Sequence, residues 1–329
     1  VAGDVTLRNL PSGQSPFRQV APLFQAADVT IINLEGPLTT RTAGTPHKGA
    51  ADLAAREQYL VKGSPVYAHY LPEAGVDVAT LANNHTMDYR AGGLQDTVDL
   101  LTKLGVATCG AGVDAAARRP AVVSALRGKV AVLAYLAFVS EGGLAACTPA
   151  ADQRAGVAVV RSTGEAVAAE SREALRQDIV TAHKQAEVVI VVFHWGIQKA
   201  DTPLAYHRVL AHTAAELGAS AVVGHHPHVL QGVEWYGGVP ILYSLGNFVF
   251  SPSVGTRGET GVFDLIFWGG KAMRVDFHPA RIEDSAPRPL TGEAGRKLSR
   301  RLLGLSQGLG KVEGKIGEDG GLSLTKPQG

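Results

Sequence analysis

Cysteine is nearly absent, with only Cys109 and Cys147 in 329 residues. Two thiols cannot build a disulfide framework, and their separation lacks the spacing of a thiolate zinc site, so they form one bridge or none. Net charge is equally scarce. Lys and Arg number 31 against 30 Asp and Glu, and a formal charge of +1 supplies no field that would gather a polyanion along a groove. Nucleic acid is therefore disfavoured as a main partner. No uninterrupted apolar run reaches about 18 residues, so no helical membrane span is predicted. What the chain does hold is core material. With 45% hydrophobic and 19% charged residues, whole-chain disorder is excluded, and the length suits two domains or one large α/β domain. The opening Val-Ala-Gly-Asp reads as the end of a buried strand with no initiator Met or leader before it. This predicts a removed upstream segment, a signal peptide or an anchor.

Short apolar runs alternate with amphipathic stretches, the pattern of an α/β architecture. Strands are predicted at Val29 to Leu34, Val76 to Leu81, Val130 to Ala137, Val188 to Phe193, Ser220 to Val223 and Ile241 to Leu245, with a later antiparallel pair at Val262 to Trp268 and Ala272 to Phe277. Helices are predicted at Gly92 to Leu104, Glu165 to Ala186 and Tyr206 to Leu217, where apolar residues recur at helical spacing. Thr39 to Gly63 mixes Thr, Pro, Gly and Lys without a period and reads as a long excursion or lid. The chain divides into a main domain, 1–283, and a C-terminal part, 284–329, with a helix around Arg296 to Leu303 and a mobile Gly-rich end.

Strand after strand ends in a side chain able to hold a metal or a phosphate. In open α/β sheets ligands sit beyond the carboxyl ends of the strands, where the loops diverge. The first strand leads to Asp4, the next to Asn33 and Glu35, and the third to Asn83, Asn84 and His85 with Asp88 beyond. His194 ends another, His225, His226 and His228 the next, and Asn247 the last. A single Asp or Asn after a strand is usually a cap or a turn former. Agreement at so many strand ends is different, because clustering imidazoles and carboxylates costs several kcal/mol unless something uses them. Carboxylate, amide oxygen and imidazole together suit zinc, manganese or iron, and the lack of thiolates disfavours copper(I) and iron–sulfur clusters.

The motifs Gly3-Asp4, Asn33-Leu34-Glu35-Gly36-Pro37-Leu38, Leu81-Ala82-Asn83-Asn84-His85-Thr86-Met87-Asp88-Tyr89, His194-Trp195-Gly196, Gly224-His225-His226-Pro227-His228 and Tyr243-Ser244-Leu245-Gly246-Asn247-Phe248 resemble, in order, those of the bacterial capsule-synthesis proteins. That is the CapA or PgsA type associated with poly-γ-glutamate. The family is in turn similar to the calcineurin-like metallophosphoesterases. The resemblance implies a metallophosphatase-like αββα sandwich of two mixed sheets flanked by helices. It also implies metal ligands at Asp4, Glu35, Asn84, His194, His226 and His228. Thr6 stands where those phosphoesterases carry a histidine. One secure divalent metal is therefore expected, through Glu35, Asn84, His194 and His226, with a second site, weak or empty, at Asp4, Glu35 and His228.

In this reading His85 is the general acid and Asp88 its orienting partner. Asn33, Asn83, His225 and Asn247 are expected to contact substrate, and Arg41, His47, Lys48 and Lys62 in the excursion are candidate anion contacts. The substrate would be a phosphate ester or, through the capsule link, an amide of a polyglutamate. The rival reading is a non-catalytic subunit that holds or threads an anionic polymer beside membrane synthase or export partners. Either reading implies an extracytoplasmic location.

Overall fold

Alternate residues of the strands face two different cores, and this sorts the chain into layers. In the computed structural model, which describes every residue except Ser12, His47, Arg56, Glu57, 139–146, Pro252 and 328–329, the first sheet has the order β14 (Asn247–Val249), β1 (Asp4–Val5), β2 (Ile31–Leu34), β3 (Val78–Thr80) and β4 (Ala107–Cys109). All its pairings are parallel.

The second sheet is mixed. Its parallel centre is β13 (Val239–Leu242), β11 (Ala221–His225), β10 (Val188–His194) and β7 (Gly128–Phe138), with β9 (Val159–Arg161) also parallel to β7. Antiparallel β12 (Val233–Tyr236) and β6 (Ala121–Ala125) flank it. A small ribbon joins β5 (Ala111–Val113) to β8 (Ala155–Val157).

Three apolar clusters fill the spaces between layers. Ile31 and Val78 of the first sheet meet Val132, Ile190, Val192 and Val223 of the second in the central cluster. The neighbours one residue along, Ile32 and Ala79, face outward and pack with Phe24, Leu71, Leu94 and Leu101, which lie on α1 (Ala21–Ala26), α3 (Tyr70–Ala74) and α4 (Arg90–Lys103). On the far side Val189, Val191 and Phe193 pack with Leu175, Ile179 and Leu210, from α5 (Ala169–His183) and α6 (Ala205–Glu216). The result is the expected αββα sandwich. Each buried Leu, Ile or Phe contributes about 1.5–3 kcal/mol. A one-residue register slip would exchange the two cores of every strand. Among the described residues no helix is long and apolar enough to cross a membrane.

The C-terminal part corrects the expectation. The antiparallel pair, β15 (Glu259–Trp268) and β16 (Lys271–Glu283), does not simply close the sandwich but founds a third sheet with β17 (Ala286–Pro289), β18 (Glu313–Ile316) and β19 (Leu322–Thr325). The end expected to be mobile is thus paired. Leu322 and Leu324 of β19 lie opposite Phe277 and Val275 and join the central cluster. Their two-residue alternation was hidden by the surrounding glycines. The helix expected near Arg296 is longer, α7 (Gly292–Gln307), and buries Leu298 and Leu302 in the same core. In the excursion, α2 (Ala50–Ala54) is the one helix among the described residues, and the chain returns where Gly63 bridges Leu38.

Candidate metal centre

Parallel pairing brings the polar strand ends into register. Asp4 of β1 lies between Asn33 of β2 and Asn247 of β14, while His194 of β10 pairs with His225 of β11. The crossing is tight. A Cβ on Gly3 would meet the Gly246 carbonyl oxygen at 2.1 Å, so only glycine lets β1 approach the turn before Asn247. His226 and His228, on either side of Pro227, hold φ of 94° and 59°. Non-glycine residues adopt that region only under constraint, and such strain gathers at functional sites.

Asp4 is fully buried, and its Oδ1 accepts hydrogen bonds from Asn33 Nδ2 (2.8 Å) and His225 Nδ1 (2.9 Å). His228 Nδ1 lies 3.2 Å from Asp4 Oδ2, but it is oriented to Asn247 Oδ1 at 2.9 Å. Asp4 Oδ2 and both carboxylate oxygens of buried Glu35 consequently lack hydrogen-bond partners. Glu35 Oε1 faces His228 Nε2 at 3.7 Å and His85 Nε2 at 3.8 Å. One ligand atom from each of Asp4, Glu35 and His228 lies within 4.8 Å of the others, about twice a metal–ligand bond of roughly 2.1 Å.

Burial raises the Glu35 carboxyl to about 8 against the opposing influence of His228. Burial would raise Asp4 too, but the hydrogen bond from His225 and the neighbouring His228 outweigh it and hold Asp4 well below the usual carboxylate range. His228 is lowered by burial and raised more strongly by Glu35 and Asp4, reaching about 9. An unpartnered buried carboxylate costs about 1–3 kcal/mol or more. A divalent cation bound there would release the His228 proton, and the carboxylate oxygens with the freed imidazole are then the donor set that a borderline or hard divalent ion requires.

A second convergence lies beside the first. His194 Nε2 is 2.8 Å from Asn84 Oδ1 and 3.0 Å from His226 Nδ1, and the His226 and His228 ring centroids are 5.7 Å apart. Burial, and then the neighbouring imidazole, lowers His194 well below its ordinary value and His226 to about 3. Both rings are therefore neutral and have lone pairs to offer, as metal ligation requires. Thr6 does not complete either group, since its hydroxyl is directed to the Val249 carbonyl at 3.3 Å.

The other predicted residues divide cleanly. His85 joins the centre with Nε2 toward Glu35 and Nδ1 on Asp88 Oδ2 at 2.8 Å. Asn33, Asn83, His225 and Asn247 are buried braces, because their polar atoms bind one another, Asp4, His228 and nearby backbone. Arg41 is drawn away to an exposed bidentate pair with Asp96. Lys62 donates to the Arg41 carbonyl and lies over the Tyr89 ring. Lys48 points inward to Asp88, and His47 lies outside the described residues. Sequence reasoning missed Tyr206 and His207. The Tyr206 hydroxyl accepts from the Gly196 amide at 2.8 Å, and His207 stacks on Trp195 with centroids 4.9 Å apart. Both stand at the start of α6 and support the turn that follows His194.

The two sheets packed between helical layers define an αββα sandwich of the α/β class. The chain belongs to the bacterial capsule synthesis protein family PGA_cap, whose pattern matches residues 1–252. It is 29% identical over 306 residues to the PGA biosynthesis protein CapA of Bacillus subtilis, covering 92% of this chain and 75% of that one. It is 28% identical to the capsule biosynthesis protein CapA of Bacillus anthracis, with 87% of this chain and 66% of that one covered. Among solved structures, a phosphatase of Mycoplasma pneumoniae overlays 87% of the chain and 89% of its own at 14% identity, with a TM-score of 0.47.

Proposed function

We propose that this protein serves capsule or poly-glutamate biosynthesis at the cell surface through a metal-dependent hydrolase centre of phosphoesterase type, acting on an anionic substrate. The observation that carries the reading is the set of bare, buried oxygens on Asp4 and Glu35 beside His228. Asp4, Glu35 and His228 would hold one divalent ion, and Asn84, His194 and His226 another. When bound, such an ion supplies Lewis-acid polarisation of a phosphoryl or carbonyl oxygen and a nucleophile at neutral pH. His85 would act at the rim, where its Nε2 can accept or return a proton at the reacting oxygen. Asp88 holds the opposite nitrogen, as second-layer carboxylates do for active histidines. Membrane synthase or export subunits are the partners this role calls for.

Turnover of a phosphomonoester or diester by chelator-treated protein, before and after added manganese, tests the reading. Metal-dependent turnover that His85→Ala abolishes is expected. A second reading, in which the centre binds an anionic polymer without cleaving it, is favoured by Thr6, which leaves the Asp4, Glu35 and His228 position with a single imidazole. Stoichiometric metal with no turnover, unaffected by His85→Ala, would establish that alternative.

A further inference from the structure

Lys48 departs furthest from its expected role. A lysine in a long polar excursion should meet solvent, yet its side chain is 3% exposed. The ammonium lies 2.5 Å from Asp88 Oδ1, 2.9 Å from the Tyr59 carbonyl oxygen and 3.3 Å from that of Asn84. Those acceptors use all the protons an ammonium has. None is left for His85 Nδ1, although that nitrogen is only 3.0 Å away. His85 Nδ1 also faces Asp88 Oδ2 at 2.8 Å. A carboxylate there can only accept, so Nδ1 carries the hydrogen. With the hydrogen on Nδ1, the other nitrogen of the neutral ring, Nε2, is bare toward Glu35 at 3.8 Å.

Asp88 also gathers the excursion. Its backbone carbonyl accepts the Thr45 amide at 2.8 Å, Oδ1 takes Lys48, and Oδ2 takes the Val61 amide at 2.7 Å. Segments before and after α2 are thus tied to the residue that orients His85.

We propose that Lys48 is a positioning residue for His85: its ammonium, fixed on Asp88 and the Asn84 carbonyl, locks the imidazole with Nδ1–H on Asp88 and Nε2 bare toward Glu35. Docking of the excursion thereby sets the state of the centre. The effect on turnover rests on the hydrolase reading, whereas the tautomer does not.

The test is the long-range proton–nitrogen imidazole spectrum of the metal-free, full-length chain, with His85 assigned by its loss in His85→Gln. Wild type is expected to show one His85 tautomer, protonated at Nδ1. Without the ammonium that fixes its Oδ1, Asp88 should loosen from the ring, so Lys48→Met should give mixed tautomers and should lower phosphoester kcat about 10-fold or more while KM changes little. Propylammonium added to Lys48→Ala should restore the wild-type pattern, which a filler role could not explain. Exposed Lys184 provides the control, and Lys184→Met should change nothing. An unshifted His85 pattern in folded Lys48→Met overturns the proposal, as does a rise in KM alone, which would make Lys48 an anion contact. If Lys48→Met does not fold, Lys48→Arg takes its place: a retained Nδ1–H pattern supports the proposal and a scrambled one overturns it. A tautomer shift in protein that turns over no phosphoester upholds it while refuting the hydrolase reading. Metal-dependent turnover with an unshifted tautomer does the reverse.

Discussion

Two buried clusters of this protein are built from the same chemistry and finished differently. Glu234, on β12, receives Arg208 at 2.9 Å, His212 at 3.1 Å and the Tyr243 hydroxyl at 2.6 Å, so both of its oxygens are partnered. Glu35, just past β2, is also buried among histidines, yet neither of its oxygens has a hydrogen-bond partner. A chain selected only to fold completes its buried carboxylates, because each bare one costs about 1–3 kcal/mol. The contrast assigns Glu234 to holding α6 against the second sheet, and it is the bare oxygens of Glu35 that the proposed centre would use.

The comparison can be broken by exchanging the two roles. Glu234→Ala strands Arg208 and His212 and should lower unfolding stability by about 2–3 kcal/mol, less than for a fully buried pair because the Arg208 side chain is 40% exposed. Its manganese titration should match wild type, and a denaturant melt alongside that titration checks both halves. Glu35→Gln should do the opposite. The metal-free variant is expected to be as stable as wild type or more so, but to lose the gain of about 2.7 kcal/mol that wild type should show at a metal concentration 100 times Kd. Equal stabilisation of both proteins by manganese in calorimetry would show that Glu35 is no ligand. A finer cut separates the two halves of the centre. His226→Ala should weaken metal binding by roughly 10-fold or more, with metal-free unfolding nearly unchanged. Unaltered affinity and stoichiometry would confine the ion to Asp4, Glu35 and His228.

The polar strand ends were legible because their signal is local. Asp4, Glu35, Asn84, His194 and His226 each follow an apolar run, and a parallel sheet collects such ends on one edge. What escaped were relations set by tertiary packing. Lys48 looks like any loop lysine until the excursion folds back on Asp88. Asn33, Asn83, His225 and Asn247 look like substrate contacts until register buries them against their neighbours. The third sheet escaped for a further reason. β18 and β19 are short, Gly-flanked strands, of which β19 pairs across a distance in sequence with β16 and β18 pairs with β19, and periodicity in a four-residue window is too brief to stand out from a mobile end.

The smallest effect concerns the layer beneath the metal centre, where His207 meets Trp195. The Leu204 amide donates to His207 Nδ1 at 3.1 Å, while Nε2 is buried without a partner. Burial lowers this imidazole to about 3 from its ordinary value of 6.5. The folded chain therefore refuses a proton that the unfolded chain accepts throughout that window. Stability is complete above about pH 6.5 and falls as the pH drops toward 3, with the sign of a depressed folded-state value. Between pH 7 and 5.5 the loss attributable to this one ring should be about 1 kcal/mol. His194 and His226 share the direction of the shift, so the total slope does not isolate His207. The difference between wild type and His207→Gln does, since glutamine can still accept the Leu204 amide but takes up no proton. Thermal melts across that interval should show a shallower fall in the variant. Parallel slopes would mean that the stacked ring beneath the strand ends plays no part in the pH response.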